Sequence, residues 1–104
     1  AKPNLERLKT YIQENLNQKL TVTELALLEQ TTTQSLQKTV RAEFGQSVYE
    51  WASNLRLERS LELLRGTPLN LATIAIDCGF ANQSHWTRLF RRKFGITPGK
   101  ARHN

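Results

Sequence analysis

Apolar residues recur along this chain with the period of amphipathic helices. One series repeats every three or four residues and comprises Leu5, Leu8, Ile12 and Leu16. A later series repeats every four residues and comprises Leu36, Val40 and Phe44. Such spacing places the apolar side chains on one face of a helix. Because no window of useful length shows strand-like alternation, the pattern predicts an all-α fold.

Capping and breaking residues divide this pattern into about seven helices. The opening helix is expected to end near Asn17, where a polar run begins. Thr21 and Ser47 are each followed three residues later by Glu, the spacing of a capping box. No breaker interrupts the segment from Ser47 to Arg65, so we predict the longest helix there. Four glycines follow apolar segments and predict left-handed helix ends: Gly45, Gly66, Gly79 and Gly95.

The two halves of the chain form an internal repeat. Leu25-Ala26 matches Ile74-Ala75 at an offset of 49 residues. A longer set matches at an offset of 50, with Leu36, Val40, Phe44 and Gly45 corresponding to Trp86, Phe90, Phe94 and Gly95. In each copy a short helix with a central Ala precedes a longer amphipathic helix, and a small Ala lets two helices cross closely, as in a helix-turn-helix.

We therefore predict one module over residues 1–104 that contains two helix-turn-helix subdomains. These subdomains cover residues 5–45 and 67–104, and a long central helix at residues 46–66 joins them. A duplicated helical hairpin with no role in nucleic-acid binding is the alternative that the repeat leaves open.

The charge distribution favours an acidic partner. The net charge is +6, but residues 1–52 carry six Lys or Arg and six Asp or Glu, whereas residues 53–104 carry nine and three. No acid follows Asp77, while six cations do: Arg88, Arg91, Arg92, Lys93, Lys100 and Arg102. This asymmetry makes an acidic partner plausible, and together with the two helix-turn-helix copies it predicts double-stranded DNA. The alternatives are a solvated basic face, nucleic-acid binding without sequence preference, or an acidic protein partner.

Composition argues against several other classes of protein. The single Cys excludes a disulfide framework, and the position of Cys78 on an apolar face predicts a core residue. Two distant His, no Gly-rich phosphate loop and no metal-ligand spacing predict a chain that is not an enzyme and binds no cofactor or metal. No signal peptide is seen, and no apolar run approaches the roughly 20 residues of a membrane span, so we expect a cytoplasmic protein.

The second half carries a more specific pattern. It consists of Ile74-Ala75 through Gly79-Phe80, then Ser84, Trp86, Arg88 and Phe90, and finally Phe94-Gly95-Ile96-Thr97-Pro98. From about Leu20 to Arg102 the chain resembles the AraC/XylS family of bacterial transcription regulators. The resemblance implies two helix-turn-helix units on a long helix, with the second helix of each unit in adjacent major grooves. It also implies RNA polymerase as a further partner, and an effector-binding or dimerisation domain that this chain lacks.

Four positions depart from the family pattern. Gln30 stands where a Gly is usual, Val40 where Phe is common, Val48 where Pro is frequent, and Ala101 where an aromatic residue is frequent. Three of these departures lie in the first half of the chain. The four departures therefore concern the packing and role of the first unit and of the C-terminal helix more than they concern the fold.

In the second unit, seven residues are candidates for contact with DNA. Those on the first turns of the second helix are expected to reach base edges: Gln83, Ser84, His85, Thr87 and Arg88. Arg88 can pair bidentately with O6 and N7 of guanine, and a phosphate contact is its alternative role. Arg91 and Arg92 lie one turn later and are expected to follow the phosphate backbone.

In the first unit, the repeat points to five candidates. They are Gln34, Ser35, Gln37, Lys38 and Arg41. Gln side chains can read adenine, and Lys can read guanine. A polar face that is merely solvated is the alternative, because the charge density of this unit is much lower.

Overall fold

The computed structural model describes residues 2–103, which form seven α-helices and no strand. The helices are α1 (Leu5–Glu14), α2 (Val22–Leu28), α3 (Thr33–Phe44), α4 (Val48–Gly66), α5 (Leu71–Asp77), α6 (Gln83–Phe94) and α7 (Pro98–His103). The prediction of an all-α fold with about seven helices is confirmed. Two compact units, Ala1–Leu55 and Arg56–Asn104, divide the chain inside α4.

Side-chain caps begin the helices where the sequence predicts them. Ser47 and Glu50 form a complete capping box, in which Glu50 N–H donates to Ser47 Oγ at 3.1 Å and Ser47 N–H donates to Glu50 Oε1 at 2.9 Å. The other six helices also start on a side-chain oxygen that accepts a backbone N–H three residues later, at Asn4, Thr21, Thr32, Asn70, Asn82 and Thr97. Each cap satisfies a donor that the first helical turn leaves without a partner.

Most helix ends also follow the sequence, with one correction. Gly45, Gly79 and Gly95 are left-handed, with φ of 69°, 88° and 82°. The prediction for Gly66 is wrong, because Gly66 is the last residue of α4 and does not have a positive φ. A long-range contact explains the difference, since the Arg102 guanidinium donates to carbonyls at this helix end and makes a left-handed cap unnecessary.

The first unit has a core built from α1, α2, α3 and the start of α4. Seven of its side chains are at most 1% exposed: Leu8, Ile12, Leu25, Ala26, Leu36, Val40 and Val48. α1 ends at Glu14, earlier than expected, but Leu16 remains buried beyond it. Trp51 is buried, as is expected of a core residue, and stacks on Phe44 with 5.5 Å between ring centroids.

A buried carboxylate ties α1 to the end of α2. Glu29 is 6% exposed and accepts from Arg7 Nε at 2.7 Å, from Arg7 Nη2 at 2.8 Å and from the Asn4 N–H at 2.7 Å. The hydrogen bond from Arg7 lowers the pKa of Glu29, while burial acts in the opposite direction. Glu29 therefore stays ionised in the folded unit.

The second unit has a core around Trp86 and Phe90, whose rings lie edge to face at 5.8 Å. Trp86 Nε1 donates to Ser60 Oγ at 2.9 Å, and Ser60 in turn donates to the Leu57 carbonyl at 2.7 Å. The polar atoms of the Trp86 and Ser60 side chains are thus satisfied within this core. Cys78 is fully buried, and this burial raises the pKa of its thiol to about 11. The prediction of Cys78 as a core residue is confirmed.

The turn between the two helices of each repeat copy has the same backbone. Thr31 N–H donates to the Ala26 carbonyl, and Phe80 N–H donates to the Ala75 carbonyl, both at 3.0 Å. These alanines are almost fully buried where α2 packs on α3 and α5 packs on α6. The close crossing of a short helix on a longer one is therefore present in both units.

Residues 2–103 contain neither a membrane-spanning helix nor a metal-binding cluster. No helix within residues 2–103 is long and apolar enough to cross a lipid bilayer. No group of three His, Cys, Asp or Glu side chains there is arranged to hold a metal ion.

Candidate nucleic-acid interface

One face of α3 carries four of the five residues predicted for the first unit. They are Gln34, Gln37, Lys38 and Arg41. Successive residues of a helix are rotated by about 100°, so these four positions fall within an arc of about 100°. Leu36 and Val40 lie outside that arc and are fully buried. Three of the four, Gln34, Lys38 and Arg41, are exposed.

The fourth residue of this face is held by the protein itself. Gln37 is partly buried, and its Oε1 accepts a hydrogen bond from the backbone N–H of Val48 at 2.9 Å. Val48 is the first residue of α4, where a helix leaves its N–H groups without intrahelical partners. The Gln37 side chain therefore closes the start of the next helix.

Ser35 lies at the edge of the α3 face rather than on it. Its backbone N–H is capped by Thr32, and its carbonyl accepts from the Thr39 hydroxyl at 2.9 Å. Ser35 and Lys38 also line an open groove of about 890 Å³ that lies beside the N-terminal segment from Lys2 to Glu6. Of the five predicted residues, Ser35 is thus the one farthest round the helix from Arg41.

An open groove of about 500 Å³ runs along α6 in the second unit. Five of the seven predicted residues line it: Gln83, Ser84, Thr87, Arg88 and Arg91. Four of them, Ser84, Thr87, Arg88 and Arg91, fall within an arc of about 100° that excludes the buried Trp86 and Phe90, and Gln83 joins them from the first residue of the helix. The structure therefore brings these five side chains together on a single exposed surface.

His85 and Arg92 lie to one side of that groove. The His85 ring packs edge-on against Phe80 with 5.8 Å between centroids. Its Nδ1 is buried and has no hydrogen-bond partner among the described residues, so only Nε2 is left to bind anything outside the domain. Arg92 is exposed, on a part of α6 that is turned away from Gln83 and Thr87.

A family sequence model described as a helix-turn-helix domain matches residues 25–104. The chain belongs to the AraC/XylS helix-turn-helix family. The match covers α3 and α6, and so includes all twelve candidate residues.

Two proteins similar to this AraC/XylS domain are named as regulators of transcription. The virulence regulon transcriptional activator VirF of Yersinia enterocolitica is 34% identical over 100 residues, which are 93% of this chain and 36% of VirF. A crystal structure of a transcriptional regulator from Chromobacterium violaceum, with an AraC-type DNA-binding domain, superposes with a TM-score of 0.91 at 24% identity. That similarity covers 95% of this chain and 88% of the other.

One solved relative contains DNA. The DNA-binding domain of the global transcriptional factor AdpA, in complex with a target DNA, superposes with a TM-score of 0.88 at 22% identity. The superposition covers 99% of this chain and 92% of the AdpA chain. The chain spans about a third of the length of the curated relatives that it matches first.

The cations of the AraC/XylS domain are not all equally available. Arg88, Arg91 and Arg92 are exposed, and no described carboxylate pairs with them. Arg102 behaves differently, because its guanidinium donates to the Leu64 carbonyl at 3.1 Å and to the Thr67 carbonyl at 3.2 Å. The six cations after Asp77 therefore include one whose donors are used inside the fold.

Sequence reasoning missed the internal roles of Gln37 and Arg102. The repeat did contain a signal for Gln37, since Val48 stands where the second copy has Pro98. Proline has no N–H, so the second copy needs no side-chain acceptor at that position. No comparable signal marks Arg102, whose carbonyl partners lie 38 and 35 residues away.

Proposed function

We propose that this domain binds double-stranded DNA sequence-specifically as part of a transcription regulator. The observation that carries the proposal is the α6 groove, where Gln83, Ser84, Thr87, Arg88 and Arg91 form one exposed polar and basic surface on a single helix. An α-helix fits the major groove of B-DNA, and these side-chain types hydrogen-bond to base edges and phosphates. The same proposal assigns α3 to an adjacent major groove.

We assign different roles to the cations of α6. Arg88, which lines the groove, pairs bidentately with O6 and N7 of a guanine. Arg91 and Arg92 are on the last turns of the helix and contact phosphates, which positions the domain without reading sequence. His85 is assigned a contact through Nε2, because Nδ1 is buried.

In the first unit, the exposed residues of α3 are assigned to the neighbouring contact. Lys38 reads guanine, Gln34 reads a base edge, and Arg41 contacts the phosphate backbone. Ser35, at the edge of the face, is assigned a phosphate contact. Gln37 is treated separately below, because its side chain also bonds to Val48.

The relatives support a role in transcription. VirF is named a transcriptional activator, and the AdpA domain was solved with its target DNA. We propose by the same relationship that RNA polymerase is a protein partner and that an effector-binding or dimerisation domain accompanies this one. The proposed location is the bacterial cytoplasm, and the proposed role is binding rather than catalysis.

The experiment is selection of bound sequences from a random duplex pool, followed by binding assays and footprinting. We expect one preferred, asymmetric sequence, protected in two segments about one helical turn, or ~10 base pairs, apart. Salt should weaken binding to the selected and a scrambled duplex, but the selected duplex should bind more tightly at each salt concentration. Protection of only about 5 base pairs would contradict the use of both units. Equal affinity for the two duplexes would favour non-specific binding instead.

A further inference from the structure

We infer that Gln37 reads DNA only as a hydrogen-bond donor, because Val48 holds its carbonyl oxygen. This inference rests on the proposed function and concerns the specificity of the first unit. The bond from Val48 N–H to Gln37 Oε1 is 2.9 Å long and partly buried. Since a backbone N–H can only donate, the side-chain atom facing it must be the oxygen and not the nitrogen.

The hydrogen bond that this oxygen accepts from Val48 changes which bases Gln37 can recognise. A Gln side chain reads adenine by accepting from N6 and donating to N7, so its oxygen and nitrogen must reach the same base edge together. In this domain the oxygen is held against the start of α4, so it cannot turn together with Nε2 toward one base edge, and the Nε2 donors are the groups left to reach a base. Donors alone suit guanine, which presents the acceptors N7 and O6, or thymine, which presents O4.

The internal repeat provides a comparison within the same chain. At the offset of 50 residues, Gln37 corresponds to Thr87 and Val48 corresponds to Pro98. Pro98 is the first residue of α7, as Val48 is the first residue of α4. Because proline has no N–H, no bond of this kind can form in the second unit. Thr87 therefore has no N–H of residue 98 to accept from, and it lines the α6 groove.

The two copies thus solve one problem in two ways. The first turn of a helix leaves N–H groups to be satisfied, and proline at the first position removes one of them. The second unit uses Pro98, while the first unit satisfies Val48 with a side chain from the face proposed to bind DNA. Base recognition at Gln37 is therefore set by the residue at position 48, which need not itself touch DNA.

The test replaces Val48 by proline and measures base preference. Val48→Pro removes the N–H at a helix position that favours proline, so the fold should be retained. We expect wild type to prefer guanine or thymine at the base pair read by Gln37, and Val48→Pro to prefer adenine by about tenfold. That base pair is the one whose preference disappears in the double variant Gln37→Ala/Val48→Pro, in which no N–H is left without a partner. Val48→Ala, which keeps the N–H, is the matched control and should show the wild-type preference.

A stability cycle tests the bond independently of DNA. Gln37→Ala should lower the Tm of wild type, because it leaves a partly buried N–H without a partner, but should not lower the Tm of Val48→Pro. The inference is overturned if Gln37→Ala lowers the Tm equally in both backgrounds, or if wild type already prefers adenine as strongly as Val48→Pro does. If wild type discriminates between no duplexes at all, the proposed function fails, and the stability cycle still decides whether the bond forms.

Discussion

Gln30 adopts, with a full side chain, the left-handed conformation that Gly79 adopts in the equivalent turn of the second unit. Their φ angles are 52° and 88°, and in each turn the next residue donates to the carbonyl of the buried alanine. The backbone requires this conformation in both copies, although only the second copy has the residue type that adopts it without steric strain. The first turn is therefore strained at a position that glycine would relieve.

We expect Gln30→Gly to stabilise the domain by about 1 kcal/mol, although glycine usually destabilises folded chains. The gain is the relief of left-handed strain, reduced by the extra entropy that glycine has when unfolded. Urea denaturation measures it. Gln30→Ala, which keeps the Cβ, is the matched control and should give no such gain. A Gln30→Gly variant no more stable than Gln30→Ala would show that the strain is negligible.

Arg88 and Arg92 lie on the same helix and should have separable effects on binding. Arg88 lines the α6 groove, so Arg88→Ala should cost about 1–3 kcal/mol on the selected duplex and relax preference at one base pair. Arg92→Ala should weaken binding to all duplexes alike and reduce the salt slope by about one unit. Fluorescence anisotropy titrations on selected and scrambled duplexes measure both. Equal losses on the two duplexes for Arg88→Ala would assign Arg88 to a phosphate.

The charge asymmetry predicts that the second unit supplies most of the non-specific affinity. Replacing Arg91 and Arg92 together by Ala should weaken binding to a scrambled duplex far more than replacing Lys38 and Arg41 together. Each double variant removes two exposed cations, so a difference cannot arise from net charge alone. Both should be measured at one fixed salt concentration. Equal losses would indicate that Lys38 and Arg41 contribute as much, despite the acids elsewhere in the first unit.

Glu29 predicts how the stability of the first unit depends on pH. Its pKa is lowered in the folded state, so its contribution is fully present above the ordinary glutamate pKa of about 4.3 and is lost as the pH falls through the lower folded value. Glu29→Gln should therefore reduce the free energy of unfolding at neutral pH, and its difference from wild type should shrink on acidification. Denaturation at several pH values measures this. Glu6→Gln, which removes a charge from an exposed position of α1, is the control, and the same pH dependence in both variants would contradict the assignment.

The features that sequence reasoning captured are those encoded within a single helical turn. The caps at Thr21 and Ser47 and the left-handed end at Gly95 depend on residues three or four apart, and the structure confirms them. The repeat also indicated which faces of α3 and α6 are exposed, because the apolar positions lie on the opposite side.

The features that sequence reasoning missed join distant parts of the chain. Arg102 reaches a carbonyl 38 residues away, Arg7 reaches Glu29 across 22 residues, and Gln37 reaches Val48 across 11. Each is a polar side chain whose partner is chosen by packing and not by spacing. From sequence alone such a residue resembles an available surface group, so the charge pattern does not distinguish Arg102 from the cations open to DNA.

The placement of the tryptophans gives each unit a built-in optical reporter. The chain has two tryptophans. Trp51 is buried in the first unit beside Phe44. Trp86 is buried in the second unit and donates a hydrogen bond to Ser60. Indole emission shifts when the ring passes from a protein interior to water, so a chain that retains only Trp51 reports the opening of the first unit. A chain that retains only Trp86 reports the second. Whether the two halves melt together or in succession can therefore be observed without attaching any dye.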